Sequence, residues 1–217
     1  MAFSLGSLFK GSSKKNVPLE EQLGALAECG IRLRQGVTVS NLLERFDRKF
    51  YEAGPYKRLL PILGEPFMRG RLSDDILLLD TECVSGNGSY VNIVTPMTQM
   101  TRGAVLLTDV RDSLDDAKAG SWVQFRLNGR TTRWAVDRDA EWIDPVILAR
   151  LAALLAQRTK AIQYVFCSPG GQTALIACCT REETTRLNLI TGMEFKALTN
   201  PDQTAAPIEK PDAPNPE

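Results

Sequence analysis

A mixed α+β fold is predicted: one domain of antiparallel hairpins forming a sheet, with about five helices packed against it. Three observations predict it. Two runs that alternate apolar and polar residues meet at Asn128-Gly129, the dipeptide preferred in tight hairpin turns. Two short apolar runs flank Pro169-Gly170-Gly171. Between and around these lie segments with helical spacing, several of them bounded by capping residues.

Taken in order, a helix is expected over Pro18–Glu28, with Leu19, Leu23 and Leu26 on one face and Gly30 closing it. A second is expected from Thr38 to Glu52, with Val39, Leu42, Leu43, Phe46 and Phe50 in one stripe. Residues 55–75 carry Pro61, Pro66 and glycines and read as irregular. Ile76–Val84 reads as a strand. Ser89–Arg102 has helical spacing around an interior Pro96. Ala104–Thr108 reads as a short strand, and Ser121–Val136 as the hairpin. Asp144-Pro145 opens a helix to Gln157, Ala161–Cys167 and Thr173–Cys179 are strands, and Thr180-x-x-Glu183 is a capping box for a last helix closed by Gly192.

The expected domain covers 17–199. Residues 1–16 read as a flexible leader and 200–217, with five prolines and no apolar periodicity, as a disordered tail. Across all 217 residues, 26 basic and 26 acidic side chains cancel, so the excess of positive charge needed for general nucleic-acid binding is missing. The charge is segregated nevertheless: from Leu72 to Thr101 there are acids and no Lys or Arg. No apolar run has the length of a membrane span, and five cysteines without framework spacing suit a reducing compartment. A cytoplasmic location is the expectation.

The absence of histidine excludes Ser–His–Asp and Cys–His catalysis and His-ligated zinc. No phosphate loop or dinucleotide fingerprint is present, so no cofactor is expected. Asp80 and Glu82, two apart on the expected strand, would project to the same side and meet a basic group of a partner. Asp109, Asp112, Asp115 and Asp116 lack calcium-loop spacing and read as a polar loop. In the hairpin, Val123, Phe125, Leu127 and Trp134 share one face, which is core. Trp122, Gln124, Arg126, Thr131 and Arg133 share the other, an aromatic–arginine combination suited to an interface. Gly170-Gly171-Gln172 matches the catalytic tripeptide of peptide-release factors, but its setting between two strands makes it a turn. Cys167, Cys178 and Cys179 read as structural, and Cys83 as the most exposed thiol.

Asp80-Thr-Glu-Cys83, Leu127-Asn-Gly-Arg130 with Arg133-Trp134, Trp142-x-Asp-Pro145, and Gly170-Gly-Gln172 leading to Leu189-x-Thr-Gly192 together resemble uncharacterised bacterial cytosolic proteins of the toxin–immunity type. The resemblance spans about 20–198. It implies a non-enzymatic protein-binding protein, an immunity protein neutralising a toxin; Asp80 and Glu82, without a neutralising base in 72–101, would suit a toxin with a basic site. Asp80, Glu82, Trp122, Arg126 and Arg133 are the expected contact residues. The alternatives are a metal-dependent hydrolase built on Asp80, Glu82 and the Asp109–Asp116 segment, and a scaffold or regulatory subunit.

Overall fold

The structure is a computed structural model that describes residues 16–66, 70–114, 120–137 and 141–198. The α+β class and its antiparallel pairing are as expected. The strands, however, are divided between two sheets, and the described residues form seven helices. The chain separates into two compact units. One takes in the described residues through Asp80 together with Ala161–Ala197; the other is Thr81–Lys160. The second unit is thus inserted, in sequence, between two parts of the first. The expected leader and tail lie almost wholly outside the described residues.

In the first unit, α1 (Leu19–Glu28) begins one residue after Pro18. The single helix expected over 38–52 is instead two, α2 (Val39–Leu43) and α3 (Arg48–Glu52). The break is local chemistry: the Asp47 carboxylate accepts the Phe50 amide at 2.8 Å and starts a new N-terminus in mid-run. Gln22, fully buried, joins α1 to this region. Its Nε2 donates to the carbonyls of Val17 (2.7 Å) and Tyr51 (3.3 Å), and its Oε1 accepts the Tyr56 amide at 2.9 Å. The Tyr51 hydroxyl donates to the Leu42 carbonyl at 2.7 Å, so α2 is held to α3 through the same residue.

The stretch expected to be irregular contains α4 (Leu59–Gly64), every residue of which is buried. Pro61 sits in its first turn, where no helical hydrogen bond is lost. Gly64 is required by a close approach: a Cβ there would lie 2.6 Å from the Leu78 amide nitrogen and 2.9 Å from the Leu77 carbonyl carbon. The strand beneath is β1 (Ile76–Asp80), four residues shorter than expected. It pairs antiparallel with β6 (Thr173–Cys179), Ile76 opposite Ala177 and Asp80 opposite Thr173. β6 also pairs with β5 (Gln163–Gly170), and the two-residue β7 (Lys196–Ala197) adds to β5, giving the order β1-β6-β5-β7. Gly170 and Gly171 form the tip of the β5–β6 hairpin at φ 122° and 63°, the turn that was expected. The last helix of this unit, α7 (Arg181–Thr191), carries the expected capping box: the Thr180 hydroxyl accepts the Glu183 amide, and the Glu183 carboxylate accepts the Thr180 amide. Gly192 ends it at φ 61°.

In the second unit, α5 (Val91–Gln99) contains Pro96. Three strands follow, β2 (Leu107–Ser113), β3 (Trp122–Leu127) and β4 (Arg130–Ala135), paired antiparallel in that order, and then α6 (Pro145–Arg158). The β3–β4 turn has φ 52° at Asn128 and 79° at Gly129, the double positive φ of a type I′ turn. The acid-rich run is strand where a loop was expected. Asp109 and Asp112 lie on β2, whereas Asp115 and Asp116 lie outside the described residues. Asp112 serves the fold. Its carboxylate accepts amides of Gly88 (2.5 Å), Tyr90 (2.7 Å) and Val91 (3.2 Å), the otherwise unpartnered donors at the start of α5. The Tyr90 hydroxyl in turn accepts the Asp144 amide at 2.9 Å, and the Asp144 carboxylate caps α6 through the Val146 amide and takes the Asp137 amide. Burial pushes the Tyr90 hydroxyl up to about 12.

Two stability outcomes follow from these contacts. Gly64→Ala is expected to cost about 1–3 kcal/mol, because the new methyl meets strand backbone that cannot rotate away. Asp112→Ala is expected to cost about 2–3 kcal/mol by leaving three helix-start amides without an acceptor, with Asp112→Asn losing less. Urea denaturation of each variant, read from the midpoint shift at constant slope, checks both.

Candidate functional site

The face of β2-β3-β4 that carries Trp122 is the strongest concentration of recognition chemistry among the described residues. Strand parity builds it. Val123 lies opposite Trp134 and Phe125 opposite Thr132, and these point inward. Trp122, Gln124 and Arg126 lie opposite Ala135, Arg133 and Thr131, and these point outward. Val123 and Phe125 are fully buried, and Phe125 meets Trp134 edge-on at 4.7 Å between ring centres. The inner face is therefore the core surface expected from the alternation, and it anchors the outer one.

On the outer face the Arg133 guanidinium lies 4.2 Å from the centre of the Trp122 ring. The same guanidinium is oriented by Gln124, whose Oε1 accepts from Nε at 3.1 Å and Nη2 at 2.8 Å. Arg126 donates to the Gly129 carbonyl at 3.1 Å and faces the Asp109 carboxylate at 3.8 Å. Both members of that pair are about half exposed (52% and 55%), so it contributes only ~0–1 kcal/mol and leaves the guanidinium able to engage another anion. The Trp122 indole N–H is shielded and meets no acceptor among the described residues.

The structure adds Arg111 to this face. It is exposed on β2 opposite Gln124, with no ion-pair partner among the described residues. It was missed because 109–116 reads as a polar loop, whereas β2 runs on to Ser113 and contains a bulge in which Asp109 and Val110 together oppose Phe125, with Asp109 at φ 52°. The inserted residue shifts the alternation, so simple parity through Leu107-Thr-Asp-Val-Arg111 gives the wrong side. The one available signal was an acidic residue tolerant of positive φ within a run of strand-forming residues.

The two expected acids stand differently. Asp80 ends β1, and Glu82 falls in the turn after it. Strand parity therefore does not place their carboxylates on one side. Both are half-buried, and each makes an interaction of its own. Nor do the acids assemble a metal centre: among the described residues no three or more Asp, Glu or Cys side chains converge to hold an ion, and the Asp112 carboxylate is taken up by backbone amides. No helix among the described residues is long and apolar enough to cross a membrane.

None of the five cysteines is in a disulfide. Cys29, Cys167, Cys178 and Cys179 are buried and Cys83 is half-buried. Burial, reinforced by the charge of Glu183, pushes the Cys29 thiol up to about 11, and burial likewise raises Cys167. These thiols are poor nucleophiles at neutral pH. No protein-family model, curated protein or solved structure matches the chain. The fold and the face together define a mixed α+β chain in two units, one of which displays a rigid sheet surface of tryptophan, glutamine and arginines.

At pH 8, alkylation of the native protein is expected to modify Cys83 first and to leave the other four until the protein is unfolded. Peptide mass mapping of the labelled chain checks this; early modification of Cys29 or Cys167 would contradict their burial.

Proposed function

We propose that this chain is a non-enzymatic protein-binding protein, an immunity protein that neutralises a toxin by covering its working surface, and that the outer face of β2-β3-β4 makes the contact. The observation that carries the reading is the Trp122–Arg133–Gln124 cluster flanked by Arg126 and Arg111. Trp and Arg are the residue types that dominate interface energetics, and here they stand on a rigid sheet rather than on loops. Gln124 holds the Arg133 fork in one orientation, so less rotamer entropy is lost when a carboxylate engages it.

The charge of the face selects the partner surface. Three arginines with one neighbouring acid among the described residues favour a toxin presenting carboxylates. A toxin with a basic site would instead call on Asp80 and Glu82, which are half-buried and less available. The arginine face is therefore the primary contact in this reading, and the two acids are secondary.

Co-expression with the product of the adjacent gene provides the test. The unaltered chain is expected to protect growth, and Arg126→Ala with Arg133→Ala is expected to lose protection while keeping its melting temperature within a few degrees. Loss of binding should exceed tenfold, about 1.4 kcal/mol or more, and should shrink at high salt. Asp80→Ala with Glu82→Ala losing protection in place of the arginine pair would move the contact to the acids. Full protection by both double variants would refute this reading of the surface.

A further inference from the structure

The sheet that displays the arginine face ends on two edges, and they are built differently. The β2 edge is broken by the Asp109–Val110 bulge and tied by Asp112 to the start of α5. Bulges of this kind twist an edge away from pairing. The β4 edge is regular: six consecutive residues keep an unbroken register with β3, from Arg130 opposite Leu127 to Ala135 opposite Trp122. Among the described residues no strand pairs with its far side.

The type I′ turn decides which backbone groups that edge offers. Leu127 and Arg130 flank the two-residue turn and form a hydrogen-bonded pair, and open pairs alternate with bonded ones from there. Arg130, Thr132 and Trp134 thus bond to β3, and the Val136 amide continues the series by donating to the Ser121 carbonyl at 2.9 Å. Thr131, Arg133 and Ala135 turn their amides and carbonyls outward. Ala135 confirms the phase, because its carbonyl accepts from Arg150 Nη1 at 3.4 Å. Thr131 and Arg133, both exposed, are left presenting donors and acceptors at the rim of the arginine face.

From this geometry we infer that β4 receives an extended acidic segment of the partner protein as a fourth strand of the sheet. The inference rests on the binding face proposed above and specifies how the partner engages it. An added strand would take its main-chain bonds from Thr131 and Arg133. Its alternate residues, roughly 7 Å apart, would lie over the outer face beside Arg133 and Trp122. Carboxylates at those positions match the charge of Arg133 on β4, with Arg126 on the neighbouring β3. A second copy of this chain fits poorly: antiparallel pairing of two β4 edges centred on Arg133, which faces outward opposite Gln124, sets the two Arg133 guanidinium groups opposite one another, and like charges across strands are destabilising.

The test uses the full-length chain, labelled for amide NMR, and capped peptides of about seven residues. Alternating glutamate and valine is the probe; lysine–valine and glutamate–proline peptides of equal length are the comparisons. Glutamate–valine is expected to shift the Thr131 and Arg133 amides most and to slow their exchange, with both comparison peptides binding roughly tenfold more weakly or worse. Thr131→Pro removes an outward amide without touching the β3–β4 ladder, and should weaken the probe by a similar factor while Thr131→Ala does not. Should the proline variant fail to fold, the wild-type contrast between glutamate–valine and glutamate–proline decides alone. Equal binding of those two peptides, or full binding by folded Thr131→Pro, overturns strand addition and leaves the arginine face standing. An oligothymidylate that displaces the probe and binds more tightly assigns the arginines to phosphate and overturns the protein occupant. Absence of any acidic-peptide binding at millimolar concentration overturns this inference, while the co-expression outcome for Arg126 and Arg133 judges the face independently.

Discussion

The pairing of β1 with β6 is the constraint on which the first unit depends. The whole of the second unit lies between them in sequence, so no local signal joins them; the register is set by burial on both faces of β6. Leu175 and Ala177 face the cluster that includes Ile76, Val165 and Leu63, and Ile176 and Cys178 on the opposite side are buried as well. A one-residue slip would exchange these two sets, while α4 lies so close to β1 that even a methyl at Gly64 would meet the Leu77–Leu78 backbone. Sheet register and helix approach thus enforce one another.

The second unit solves the equivalent problem with polar groups. Asp112 gathers the amides at the start of α5, the Tyr90 hydroxyl accepts the Asp144 amide, and the Asp144 carboxylate starts α6 and accepts the Asp137 amide from beyond β4. One chain of hydrogen bonds therefore links strand β2, two helix starts and the exit of β4. Tyr90 and Asp144 are buried and Asp112 half-buried, and together they satisfy amides that would otherwise be stranded, which makes the set cooperative rather than a sum of separate caps. Its consequence for binding is preorganisation. The sheet carrying Trp122, Arg126 and Arg133 is anchored below by Phe125 and Trp134 and at one margin by Asp112, so its arginines are held in a fixed arrangement, as the proposed binding face requires.

That same anchoring accounts for the asymmetry of the sheet. Asp109 at positive φ opens the bulge that spoils β2 as a template and brings a carboxylate beside Arg126. β4, by contrast, carries Arg130 and Arg133 along it, and among the described residues no strand covers it. Charge of one sign disfavours pairing with a second copy and suits the acidic segment inferred above, so one feature of the edge serves both roles in that reading.

What the sequence by itself determined is what short-range chemistry dictates. The Asn128-Gly129 turn, the Asp144 cap, the Thr180–Glu183 box and the Gly192 terminus each involve residues within a few positions of one another, and each is found in place. Strict alternation through the hairpin likewise put Trp122, Gln124, Arg126, Thr131 and Arg133 on a single face. Tertiary structure decided the rest. α4 was hidden because Pro61 and Gly64 look like breakers until burial and the approach of β1 explain them. Asp47 splits an apolar stripe that periodicity alone would run straight through. Arg111 joins the face only through a bulge, which inverts the parity that placed every other member. The separation of the strands into two sheets rests on the β1–β6 register, a contact between distant segments whose free energy comes from shared burial and therefore leaves no mark in either segment alone.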